Sequence, residues 1–176
     1  DYAIATPAPT LLDWARAEGH HTHAIGKISD IFSHRGIDTA TKGRDAELMQ
    51  DLHDRINTAP EGSLTFANFV EFDTEFGHRR AAEGYAAHLT WFDKELRHIL
   101  AALRQDDLLI LTADHGNADE MFELDKKTKM PIELENGIFK PKTSHSTNPV
   151  AFILYDNVSG GKLGLQTGEF GLSNIA

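Results

Sequence analysis

The chain has 176 residues, 40% of them apolar and 25% charged, which fits one domain with a buried core and argues against wholesale disorder. Asp and Glu number 27 against 17 Lys and Arg, a formal charge of −10, which opposes general binding to nucleic acid but leaves room for a small phosphorylated substrate held by a few local cations. There is no cysteine, so disulfides and thiolate metal sites are excluded, and any metal must be held by His, Asp or Glu.

In chain order, Thr10 is a candidate N-cap for a short helix carrying Leu11, Leu12, Trp14 and Ala15, which Gly19 can end. His23 to Gly26 reads as a short strand leaving on a glycine, and Gly36 and Gly43 punctuate the loop beyond. Asp45 to Ile56 is a polar helix with Leu48, Met49, Leu52 and Ile56 on one side. Leu64 to Asp73 is apolar and aromatic and predicts a buried strand. Ala81 to Leu103 is the strongest helix, with Tyr85, Leu89, Phe92, Leu96, Ile99 and Leu103 recurring at helical spacing. Leu108 to Thr112 and Val150 to Tyr155 predict two further strands. Between them, Ala118 to Lys142 is polar, rich in Lys, and carries Pro131, Gly137 and Pro141, the texture of a small hairpin standing off the core.

Strand, helix and strand in alternation predict an α/β chain with a mostly parallel sheet, a single domain over residues 1–176. No apolar run approaches the roughly 20 residues that span a bilayer, so no membrane partner is expected. The segment Asp1 to Ala5 lacks the features of a signal peptide, which suits the cytoplasm. It also lacks an initiator Met, as a fragment or a processed product would.

Three clusters carry groups suited to chemistry. Asp73-Thr74-Glu75-Phe76-Gly77-His78 places a carboxylate and an imidazole five residues apart, followed by Arg79 and Arg80. That spacing does not suit one face of an α-helix, where partners sit three or four apart. It suits a turn leaving a strand, or an ordinary solvated loop. In the second, the strand ending at Thr112 runs into Asp114 and His115 and then Gly116-Asn117, where ionisable groups are costly unless paired or metal-bound, although the same residues also make good turns. The third is His145 in the polar loop Thr143 to Pro149, which gains weight only as a partner to the others. Asp73, His78, Asp114, His115 and His145 together offer oxygen and imidazole donors that suit Mn²⁺ or Zn²⁺ better than Mg²⁺. Each ligating His must be neutral, so binding would weaken in acid. His20, His21, His23, His34, His53, His88 and His98 are read as ordinary structural or surface residues.

Several motifs resemble the phosphopentomutase family: Pro9-Thr10-Leu11-Leu12-Asp13, Ala24 to Phe32, Phe72 to Arg80, Gly84-Tyr85 and Asp106 to Asn117. The resemblance covers about residues 1–117. From Ala118 onward the sequence is instead similar to cofactor-independent phosphoglycerate mutase, in Asn117 to Met121, Thr143 to Val150 and Gly168 to Ala176. Both families belong to the alkaline-phosphatase superfamily. The resemblance therefore implies a partial three-layer α/β/α core and phosphoryl transfer between pentose 1-phosphate and pentose 5-phosphate.

It implies two Mn²⁺ in the complete enzyme. Asp73, His78 and His145 match the ligands of one metal, and Asp114 and His115 match two ligands of the other. Lys27 matches a lysine placed against the substrate phosphate, with Arg79 and Arg80 as further candidates for contacting phosphate or supporting His78. The family pattern departs at Ala81, where an Asp is usual, and in the distance of thirty residues from His115 to His145. No segment matches the family's Ser or Thr nucleophile or its cap domain. The chain is thus expected to be the C-terminal half of a catalytic core, to bind one metal alone, and to call for an N-terminal half as partner.

Overall fold

The structure, a computed structural model, describes residues 4–159, 168, 170 and 171. The tail motif expected at 168–176 therefore falls mostly outside the described residues. The described chain divides into two compact units. The first runs through Glu71 and takes in Asp93–Arg104, and the second comprises Phe72–Phe92 and the chain from Gln105 onward.

The first unit is built on a three-stranded parallel sheet of order β2-β1-β3, with β1 at Thr22–Ile25, β2 at Thr39–Thr41 and β3 at Leu64–Ala67. Every residue of β1 is buried. A central parallel strand is covered on both faces, so it needs no alternation of polar and apolar residues. Three helices accompany the strands: α1 (Leu11–Ala17), α2 (Ile28–Ile31) and α3 (Asp45–Thr58). α1 begins at Thr10, whose backbone N–H donates to the Asp13 carboxylate at 2.8 Å. The core gathers Leu12, Ala24 and Ile28, with Phe32, Ile37 and Leu64 against them. Each large aliphatic side chain so buried contributes about 1.5–3 kcal/mol. His23 is buried at the start of β1, its ring hydrogen-bonded to Thr39 and, at 2.8 Å, to Asp51. The edge strand β2 is short and mostly exposed, and its Thr-Ala-Thr sequence had no periodicity to reveal it.

β3 ends at Ala67, six residues short of the strand expected to reach Asp73. The cause lies past Asn68, whose N–H still donates to the Ile25 carbonyl at 3.0 Å. Gly26 follows β1 with φ of +80°, and a β-carbon there would strike the carbonyl of Asn68, so the two chains approach as only glycine allows. Then the buried Asp45 carboxylate accepts the N–H groups of Val70 and Glu71 at 3.0 and 3.2 Å. Backbone donors bonded to a side chain are not available to a ladder.

In the second unit the chain winds a single π-helical turn, Phe72–Gly77, before α4 (Ala82–Ala102), of which the residues up to Phe92 belong to this unit. Its packing is organised by Phe72, whose ring meets Tyr85 at 5.4 Å and Phe92 at 5.7 Å, both edge-on. Leu89, expected on the buried stripe of α4, is 54% exposed. β4 (Leu108–Thr112) pairs antiparallel with β5 (Phe152–Asp156), from Leu108 opposite Asp156 to Thr112 opposite Phe152. The parallel pairing expected of the strands thus holds for β1 to β3, while β4 and β5 make a separate sheet. Their connection returns the chain beside its own origin, as a hairpin does. Within it, antiparallel bridges join Phe122 to Pro141 and Glu133 to Phe139, so the Lys-rich excursion is a hairpin, as its turn residues suggest. Among the described residues no helix is long and apolar enough to cross a membrane.

Candidate metal centre

The π turn explains the spacing of Asp73 and His78. A π-helix bonds residue i to residue i+5, and here the His78 N–H donates to the Asp73 carbonyl at 2.8 Å. Residues five apart therefore stack, and His78 Nε2 lies 3.0 Å from Asp73 Oδ2. The expectation of a strand-to-loop turn at this point gives way to a helical turn with more residues per turn than an α-helix.

His145 reaches the same carboxylate from a distant loop, with Nε2 at 3.4 Å from Asp73 Oδ1. One donor atom from each of Asp73, His78 and His145 lies within 4.8 Å of the others, so the three could hold one metal ion. The carboxylate and the two imidazoles make the nitrogen–oxygen donor set that suits Mn²⁺ or Zn²⁺. His78 and His145 have half-exposed or partly exposed side chains, so an ion could reach them from solvent.

Around the three donors stands a set of polar contacts. Asn117 donates from Nδ2 to Asp73 Oδ1 at 2.8 Å, and its Oδ1 accepts from Arg80 Nη1 at 2.5 Å. Arg80 Nη2 donates to the Ser144 carbonyl at 3.2 Å. On the far side of His145, the Ser146 N–H donates to the Gly116 carbonyl at 3.0 Å and its hydroxyl donates to Asp119 at 3.0 Å. The Ser146 hydroxyl is the chief reason the Asp119 carboxyl lies below the usual carboxylate range. Tyr85 is pushed the other way, upward, first by burial and then by the negative charges of Asp73 and Asp119. Its hydroxyl therefore stays protonated beside this acidic patch.

Two of the sequence candidates, Asp114 and His115, are not among the three donors, although His115 touches one of them. The Asp114 side chain is 80% exposed and lies 3.6 Å from His115 Nε2. The His115 ring stacks on His145, centroids 3.6 Å apart and planes within 8°. Among the described residues Asp114 and His115 meet no third ligand. Lys27 is exposed at the start of α2, in the first unit. The two arginines have opposite fates. Arg79 is exposed and pairs with Glu75 at 2.9 Å, whereas Arg80 is 9% exposed and bonded to Asn117 and Ser144. Sequence alone does not distinguish Asn117 and Ser146, because Asn and Ser in a Gly-containing loop read as turn residues.

The family model described as the Metalloenzyme superfamily matches residues 18–176. Among curated proteins, the phosphopentomutase of Psychromonas ingrahamii is 48% identical over 117 residues, 66% of this chain and 28% of that protein. The phosphopentomutase of Chelativorans sp. is 50% identical over 117 residues, again 66% of this chain, and 29% of that protein. The chain thus spans under a third of the length of these relatives. Among solved structures, the phosphoglycerate mutase of Leishmania mexicana superposes with a TM-score of 0.69 at 20% identity, covering 83% of this chain and 31% of that one. At that identity the likeness shows the fold, which is α/β and alkaline-phosphatase-like.

Proposed function

The chain belongs to the Metalloenzyme superfamily, and from that premise we propose that it is the metal-binding C-terminal half of a phosphopentomutase catalytic core. The reaction of that enzyme interconverts pentose 1-phosphate and pentose 5-phosphate. The observation that carries the reading is the convergence of Asp73, His78 and His145 from two distant segments on one point, in a chain whose relatives over 117 residues are phosphopentomutases.

In this reading Asp73, His78 and His145 hold one Mn²⁺, and Asp114 and His115 await ligands from an N-terminal half to hold a second. A bound divalent cation withdraws charge from the phosphoryl oxygens and lowers the pKa of an attacking oxygen. The chain's own contribution is orientation. The π turn stacks His78 on Asp73, and the flanking bonds of Ser144 and Ser146 fix where His145 points. Lys27 and the exposed Arg79 are the cations proposed to meet the sugar phosphate, Lys as a point charge and Arg as a planar fork. Arg80 is proposed to support the centre.

A phosphoglycerate mutase activity is the competing reading, favoured by the residues Thr143 to Val150. Ligand-detected NMR with the chain and Zn²⁺, a diamagnetic ion, separates the two. Ribose 5-phosphate should bind in preference to 3-phosphoglycerate, and its binding should weaken in a Lys27→Ala variant. Preference for 3-phosphoglycerate would reverse the assignment. The isolated chain is expected to bind metal without turning over ribose 1-phosphate, and measurable conversion by pure protein would contradict the single-metal reading.

A further inference from the structure

Arg80 is held in a conformation that its own chemistry disfavours. It has φ of +55°, in the left-handed region that a side chain with a β-carbon rarely adopts. Its guanidinium is buried, and its Nε finds no hydrogen-bond partner among the described residues. A buried cation with an orphaned donor costs free energy, so the contacts it does make must over-determine its place. Those contacts go to the two segments that meet His78's own segment at the candidate centre: Asn117, just past Asp114 and His115, and Ser144, next to His145.

Asn117 completes the path. Its amide accepts from Arg80 through Oδ1 and donates to Asp73 Oδ1 through Nδ2, and only this orientation of the amide satisfies both neighbours. An aspartate would lose the donor, and an alanine would lose both bonds. The left-handed turn at Arg80 sends its fork inward, while Arg79 beside it faces solvent. Room for Asn117 is kept by Gly77, where a β-carbon would collide with the Asn117 amide.

We infer that Arg80 and Asn117 form a positioning strut for the metal centre, which orients the Asp73 carboxylate and sets the loop carrying His145. The inference rests on the metal-binding reading of Asp73, His78 and His145. The strut touches no substrate. It acts through Asp73 and the Ser144 backbone, as partners behind the ligands do in other metal sites, where their loss costs about 10–100-fold in metal affinity. Lys cannot replace Arg here, because a single ammonium group does not reach two acceptors in a planar fork.

The test is a Mn²⁺ titration of the chain and of Arg80→Lys, Asn117→Ala and the double variant, with far-UV circular dichroism in EDTA as the check on folding. A Co²⁺ absorption spectrum reports ligand geometry independently of affinity. The expected result is one site in every protein and affinity about 10–100-fold weaker in each single variant. An altered Co²⁺ spectrum should accompany it, with a double variant no weaker than the poorer single. Arg80→Lys keeps the buried charge, so it remains informative if the Asn117 change disturbs folding. Unchanged affinity and spectrum in folded single variants would overturn the strut while leaving the centre intact. Strictly additive losses would overturn the linkage between the two residues. Absence of any site in the parent chain would remove the centre itself and the strut with it.

Discussion

At the level of single residues, the donors Asp73, His78 and His145 were legible as chemistry-bearing types, and their convergence was implied by the family resemblance. The support around them was not. Asn117 follows an Asp-His-Gly run in which Asn is also ordinary turn chemistry, and nothing local distinguishes an amide that bridges a guanidinium to a carboxylate. Arg79 and Arg80 are adjacent and chemically identical, and their separation into an exposed and a buried side chain accompanies the positive φ at Arg80. Gly77→Ala tests this arrangement at its narrowest point. Its β-carbon displaces Asn117, so Mn²⁺ affinity measured by calorimetry should fall about tenfold or more.

A second prediction at this scale concerns acid. The Asp38 carboxyl lies below the ordinary aspartate range, chiefly because it accepts the Thr22 backbone N–H. A carboxyl depressed on folding contributes stability that is present above its unfolded pKa and lost as pH falls through the folded one. The part of the urea midpoint that Asp38 supplies, read as the difference from Asp38→Asn, should therefore hold level down to about pH 5 and shrink below about pH 4. Asp38→Asn should lower the neutral midpoint more than the acid one. A parallel offset of the two curves at all pH values would contradict the assignment.

At the level of elements, helices and strands with strong patterns were read to within a residue or two: α1, α3, α4, β1 and β4. The failure at β3 has a physical origin. Apolar residues from Leu64 to Phe72 look like one strand, but Asp45, distant in sequence, takes the backbone donors of Val70 and Glu71 and ends the ladder early. The next element is a π turn, which no hydrophobic period announces, and it converts a spacing of five from an oddity into a stack. Asp45→Ala should remove the acceptor of these part-buried N–H groups and cost about 1 kcal/mol, read as a lower urea midpoint. A midpoint equal to the parent's would show that β3 ends for another reason. β2 escaped notice because a three-residue edge strand leaves too short a pattern.

At the level of the whole chain, composition set useful bounds: an acidic molecule without cysteine can offer a metal no thiolate, which leaves nitrogen and oxygen donors for a divalent ion such as Mn²⁺ or Zn²⁺. The α/β class followed from alternation of elements. Sequence order does not reveal that β4 and β5 pair with each other, because strand partners depend on how the long excursion returns. The chain spans under a third of its phosphopentomutase relatives, so its central claim is a partial one: it builds a metal centre from Asp73, His78 and His145. The most direct measurement is a calorimetric Mn²⁺ titration of the purified chain beside Asp73→Ala. A single site is expected in the chain and none in the variant. A site that survives in Asp73→Ala, or no site in either protein, would contradict it.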